Sequence, residues 1–197
     1  MVETRLVHET HRVASSLLSE AAVRPSVPLE LLGTFRDYLV ANLRHHHTTE
    51  DEWLWPRLLD VVPAAELEAL SEEHARLDTA LDQLDAVHTG RAELRAAAIE
   101  VRDRVHDHLA HEEPVLMPVL RAHISPAQWD AFARRVMATT PPVAGHLTIG
   151  LFDEVGTPAE VEWLLAGLPE PMRPLVPDLR RQAAHDLRVL RGTETAA

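Results

Sequence analysis

The chain contains no cysteine in its 197 residues, and that single absence excludes disulfides, zinc ribbons, iron–sulfur clusters and thiol nucleophiles. Any site chemistry must use nitrogen and oxygen. There is no basic surplus either: the formal charge is −12, so nucleic acid and anionic membrane surfaces are not expected partners, whereas cations are. No apolar run approaches the roughly 20 residues that a membrane span needs. Met1 to Ala22 lacks the charged, apolar and small-residue order of a secretory leader, and a cytoplasmic location is expected. Nothing alternates with period two over a useful length, which argues against strands.

What is in excess is histidine. The 13 imidazoles are spread from His8 to His185 and are not a terminal tag. They are organised by the stretch Val105 to Leu120, VHDHLAHEEPVLMPVL, in which His108 and Glu112 stand four residues apart. In a helix that spacing puts both on one face, able to offer a nitrogen and an oxygen to one ion. Val101, Val105, Leu116 and Val119 share that face, so the carboxylate is headed for a core. There it must be protonated, paired with a base or bound to metal, because an uncompensated buried charge costs several kcal/mol.

The unit occurs twice. Sixty-two residues upstream, His46, Glu50, Asp51 and Pro56 match His108, Glu112, Glu113 and Pro118, and Leu39, Leu43, Leu54 and Leu58 match Val101, Val105, Leu116 and Leu120. A third candidate ligand, His74, shares its face with Leu77, Leu81 and Leu84. By the repeat its counterpart is His11: His74 to His108 spans 34 residues, His11 to His46 spans 35 and His8 to His46 spans 38. His8, one turn away, is the second choice. The expected set is His11, His46, Glu50, His74, His108 and Glu112, two imidazoles and one carboxylate from each hairpin. Such a set fits two metal ions bridged by carboxylates, and its donors suit iron, manganese or zinc. His45, His47, His106 and His111 fall off the apolar face or at its edge and are expected to be solvated or to sit behind the ligands. Asp51 and Glu113 suit bonds to another ligand's ring N–H or, equally, are ordinary surface charge. Trp53 and Trp55 are expected to pack at the ends of the bundle.

The fold expected is all-α: an up-down four-helix bundle with additional C-terminal helices. Residues 3 to 22 form the first helix. Leu29 to Val62 form a long second one that Pro56 should bend, the third runs from Pro63 to about Val87, and the fourth spans Ala92 to Leu120 with Pro114 kinking it. Ser125-Pro126-Ala127-Gln128 and Thr157-Pro158-Ala159-Glu160 are capping boxes that open two more helices. Pro141 to Gly156 reads as an irregular connector or a short helix, and Asp178 to Leu190 as a last helix ended by Gly192. Residues 1–122 are thus expected to be the bundle with its metal site, and 123–197 a helical extension that packs on it or forms a partner surface, a homodimer contact included.

The order histidine, HxxxE, histidine, HxxxE, with an acidic residue and a proline after each pair, resembles the hemerythrin family in its HHE cation-binding branch, over roughly residues 3 to 122. The resemblance implies a non-haem centre of two iron ions held by the six residues above. It further implies dioxygen, hydrogen peroxide or nitric oxide as the small ligand. The alternatives are a di-iron oxidase or oxygenase acting on a small organic substrate, and iron handling without turnover. Ferritin-like bundles differ, since they use Glu-x-x-His, which occurs nowhere in this chain. Oxygen-carrying hemerythrins place a fifth histidine one turn after the helix-three ligand and use HxxxxD on helix four. This chain has Asp78 and HxxxE there, which turns the expectation toward open coordination positions, with Asp78 in reach as a seventh ligand.

Overall fold

A computed structural model describes residues 2–194. Its bundle helices are α1 (Val2–Ala21), α2 (Leu29–Thr49), α4 (Ala64–Asp85) and α5 (Arg91–His123). Each packs against two others, in the ring order α1, α2, α4, α5. No β-strand occurs among the described residues. Pro25 and Pro28 separate α1 from α2. Pro63, extended at φ −55° and ψ 133°, leads into α4, and Gly90, at φ 97°, leads into α5. That positive φ is the one conformation in these turns that requires glycine.

The second helix is not continuous to Val62. It ends at Thr49, widens into a π-helical turn over Glu50–Leu54 and resumes as α3 over Trp55–Leu58. Pro56 accounts for the break: it has no N–H to offer the carbonyl of Glu52, and its ring crowds that carbonyl. The widened turn lets the Trp55 N–H reach back to the Glu50 carbonyl instead, five residues away. The fourth helix, by contrast, stays α-helical through both Pro114 and Pro118.

Within the bundle, apolar side chains form two clusters separated along its axis. The larger gathers Leu17 and Leu18, Phe35, Leu39 and Leu43, Leu77 and Leu81, and Val101, Val105 and Leu109. The smaller gathers Leu54, Trp55, Leu58, Leu67, Leu70, Leu116 and Leu120. Each buried leucine contributes about 1.5–3 kcal/mol. Between Leu43 and Leu54, between Leu70 and Leu77, and between Val105 and Leu116 the buried positions are largely polar, and these stretches hold the HxxxE pairs and His74. The two apolar clusters clamp a polar layer.

Beyond the bundle, α6 (Pro126–Thr139) leans Trp129 and Phe132 on the smaller cluster. The connector at 141–156 is a helix, α7 (Gly145–Val155), entered through Ala144 at φ 44°. It is followed by α8 (Pro158–Ala166), a 3-10 turn (Glu170–Leu175) and α9 (Val176–Arg191), whose end at Gly192 (φ 72°) is the expected one. Both capping boxes are formed. Leu147 and Leu151 of α7 and Leu187 and Leu190 of α9 join the larger cluster. His146 Nε2 meets Asp186 Oδ2 at 2.9 Å, tying α7 to α9.

The α7–α9 crossing depends on Gly150, where an added Cβ would stand 2.5 Å from Ala183 Cβ and 3.0 Å from Leu187 Cδ1. Gly150→Ala is therefore expected to cost about 1–3 kcal/mol, as overpacking does. In a thermal melt the midpoint should fall by roughly 2–4 °C per kcal/mol, with metal content unchanged. An unchanged midpoint would mean that the two helices separate freely.

Candidate metal centre

Two groups of side chains have donor atoms all within 4.8 Å of one another: His8, His46, Glu50 and Glu112, and Glu50, His74 and His108. Glu50 belongs to both. The π-helical turn opens at Glu50, so the backbone irregularity caused by Pro56 lies directly at the shared carboxylate. Glu50 Oε2 is 3.4 Å from His46 Nε2 and 3.6 Å from His74 Nε2. Glu112 Oε2 is 3.3 Å from His108 Nε2 and 3.8 Å from His8 Nε2.

Behind the rings stand carboxylates. His8 Nδ1 bonds Glu113 Oε1 at 3.0 Å, His74 Nδ1 bonds Asp51 Oδ2 at 3.1 Å and His108 Nδ1 bonds Glu73 Oε2 at 2.9 Å. An ionised carboxylate only accepts, so in each ring Nδ1 carries a proton and Nε2 is turned inward. Support of this kind fixes a metal ligand's orientation and raises its basicity. The supports are themselves anchored: Arg12 contacts both Glu113 oxygens at 2.9 and 2.8 Å, Ser71 donates to Asp51 at 2.6 Å and His111 reaches Glu73 at 2.8 Å. The positions anticipated for Asp51 and Glu113 are the ones they hold. Glu73 was not legible as a support, because its link to His108 crosses between helices.

Five of the six sequence-derived ligands, His46, Glu50, His74, His108 and Glu112, are thus brought together. His11 is in neither group, and His8 stands in its place on α1. His11 is buried, with its ring centroid 4.8 Å from that of His46, but no carboxylate supports it and its Nδ1 has no partner. His8 has that support from Glu113. Asp78 does not enter the groups either; its Oδ1 bonds His47 Nδ1 at 3.1 Å. His47 itself is buried, not a bystander of the HHH run, and its ring lies nearly parallel to that of His74 at 4.4 Å. Trp55 also lies parallel to His74, at 6.0 Å, so it packs beside the site and not at the end of the bundle.

The electrostatics call for cations. His8 Nε2, His46 Nε2, Glu50 Oε2 and both oxygens of Glu112 are buried without hydrogen-bond partners, and each such group costs about 1–3 kcal/mol. His74 Nε2 and His108 Nε2 face each other at 3.1 Å; burial works against a second proton on His108, but Glu112 and then Glu73 outweigh it and raise its pKa, so a proton or a metal ion can occupy this contact. Burial, and then neighbouring imidazoles, drive His46 and His11 well below the usual histidine range, keeping both rings neutral. Burial and then the charge of Glu112 push Glu50 well up. For Glu112 burial works upward, but His8 and His108 outweigh it and hold the carboxyl at about 2. Neutral imidazoles with inward lone pairs and paired carboxylates are a donor set that fits divalent metal.

Buried imidazole and carboxylate donors gathered in the middle of a four-helix bundle define a metal-binding bundle protein. Residues 3–120 match the model of the hemerythrin HHE cation binding domain, and the chain belongs to that family. It is also similar to a "DNA nickase" of Nostoc sp. (strain PCC 7120 / SAG 25.82 / UTEX 2576), 24% identical over 106 residues, which cover 54% of this chain and 30% of that protein. The chain thus spans less than a third of the relative it matches. No solved structure matches it. Among the described residues no helix is long and apolar enough to cross a membrane.

Proposed function

We propose that this chain is a non-haem di-iron protein of the cytoplasm that binds or reacts with dioxygen, hydrogen peroxide or nitric oxide. The observation that carries this reading is the sharing of Glu50 between two donor groups. His8, His46, Glu50 and Glu112 would hold one ion, and Glu50, His74 and His108 the other, with manganese or zinc the competing metals. Bound iron would supply electrons to, or accept them from, the small molecule. The protein's own part is to hold neutral nitrogen donors at fixed tautomers through Glu113, Asp51 and Glu73, and to keep bulk water out by the two apolar clusters.

The shape of the interior leaves no room for an organic substrate beside the donors. The void beside the donors, lined by His11, Leu43, His46, His47, Leu77, Val105, His108 and Leu109, is too narrow for a water molecule. The roomier cleft, about 440 Å³ among Val2, Arg5, Glu9, Glu113, Met117 and Arg121, lies behind Glu113 and outside the donor layer. DNA is not carried over as a substrate from the Nostoc relative, because a charge of −12 leaves no basic surplus to attract phosphate. Residues 123–197 act in this reading as a cover on the bundle, through α6, α7 and α9.

The test is metal content per chain with a visible spectrum, taken on the reduced protein before and after hydrogen peroxide. Two irons with rapid oxygen evolution would make it a peroxide-disproportionating enzyme. Two irons forming a stable coloured adduct without turnover would make it a binding or sensing protein. Fewer than one bound metal would sink the dinuclear reading.

A further inference from the structure

We propose that His47, held through Nδ1 by Asp78, is the fourth protein donor of the metal position formed by Glu50, His74 and His108. The inference rests on the dinuclear reading and concerns the asymmetry it leaves: one group has four donors, the other three. His47 carries the same signature as the ligands around it. It is 2% exposed, a carboxylate takes its Nδ1–H at 3.1 Å, and its Nε2 is buried with no partner. His47 borders a closed void together with His11, His46 and His108 and the apolar Leu43, Leu77, Val105 and Leu109, and nothing there satisfies its Nε2.

The ring is also in the right place. Its centroid lies 4.4 Å from that of His74 and 6.0 Å from that of His108, the two imidazoles of the three-donor group. It is not among the donor atoms mutually within 4.8 Å; its ring is stacked on His74, and ligation asks it to turn out of that stack about its own side-chain bonds. Asp78, whose side chain is 46% exposed, can follow that turn. The carboxylate on α4 is then the orienter of an imidazole supplied by α2. This accounts for Asp78 without making it a ligand, and for the third histidine of the HHH run.

The experiment is a titration of the metal-free full chain with cobalt(II), read by the number of ions bound and by the visible absorption of each. The variants are His47→Ala, Asp78→Ala and, as control, His45→Ala, whose ring bonds Thr139 instead. The wild type should bind two ions. Asp78→Ala should weaken one of them about 10–100-fold, the usual effect of removing a carboxylate behind a ligand, and His47→Ala should weaken it further and change its absorption. The other ion should be untouched, and His45→Ala should behave as wild type. Two ions bound by His47→Ala with unchanged affinity and spectrum would overturn the assignment while leaving the dinuclear reading intact. A wild type that binds fewer than one ion would overturn both. Should His47→Ala fail to fold, the half-exposed Asp78→Ala decides alone, and unaltered affinity for the second ion overturns the proposal.

Discussion

Glu50→Gln is expected to lower bound metal from two ions per chain to one or none. Glutamine keeps the volume, but it offers one neutral oxygen where a carboxylate offers two charged ones, and it cannot be shared between the two donor groups. Metal in 1,000-fold excess over its dissociation constant stabilises the folded chain by about 4 kcal/mol. The metal-loaded variant should therefore melt well below the metal-loaded wild type. Two tightly held ions in the variant would show that Glu50 is not the bridge.

Without metal the sign reverses. Burial and the charge of Glu112 raise the Glu50 carboxyl well above its ordinary 4.5. A carboxyl raised in the folded state keeps its proton after the unfolded chain has lost its own. Stability therefore falls as pH climbs from 4.5 toward the folded value. Glutamine does not titrate, so this part of the slope should vanish in Glu50→Gln. The metal-free variant should be the more stable of the two at pH 7. Denaturant titrations in chelator at several pH values check this, and a metal-free variant less stable at every pH would mean that Glu50 is satisfied without metal.

The bundle was legible because its signal is local: periodic leucines, prolines between helices and two capping boxes are properties of single segments. The HxxxE pairs were legible for the same reason, since four residues along one helix fix their own geometry. What could not be read is what depends on contacts between helices. Pro56 announced a disturbance in the second helix, but only the packed structure shows a π-helical turn beginning at Glu50, while Pro114 and Pro118 leave α5 helical. Glu73 reaches His108, and Asp78 reaches His47, across the α4–α5 and α2–α4 contacts, and no spacing within one segment carries that information. The single-helix pattern left His47 off the apolar face or at its edge, whereas the packed structure buries it, stacked on His74.

The helix-one ligand is the sharpest case, and the structure makes a measurable statement about it. Repeat symmetry pairs His11 with His74, so by the sequence His11→Ala should cost more metal than His8→Ala. The reverse is expected from the geometry. In the second hairpin's direction His74 is supported by Asp51, whose repeat equivalent is Glu113. Glu113 is one methylene longer, and Arg12 grips both its oxygens, so its Oε1 comes to His8 Nδ1, not to His11. Only His8 then presents a basic Nε2, 3.8 Å from Glu112. His8→Ala should weaken the ion shared with His46 by at least about 100-fold, more than loss of a supporting carboxylate does. Glu113→Ala should weaken it about 10–100-fold on the same ground, and His11→Ala should cost the least of the three. Metal titrations of the three variants decide the order. If His11→Ala proves the most damaging, the repeat is obeyed at the metal, and the Arg12–Glu113 grip holds His8 for packing alone.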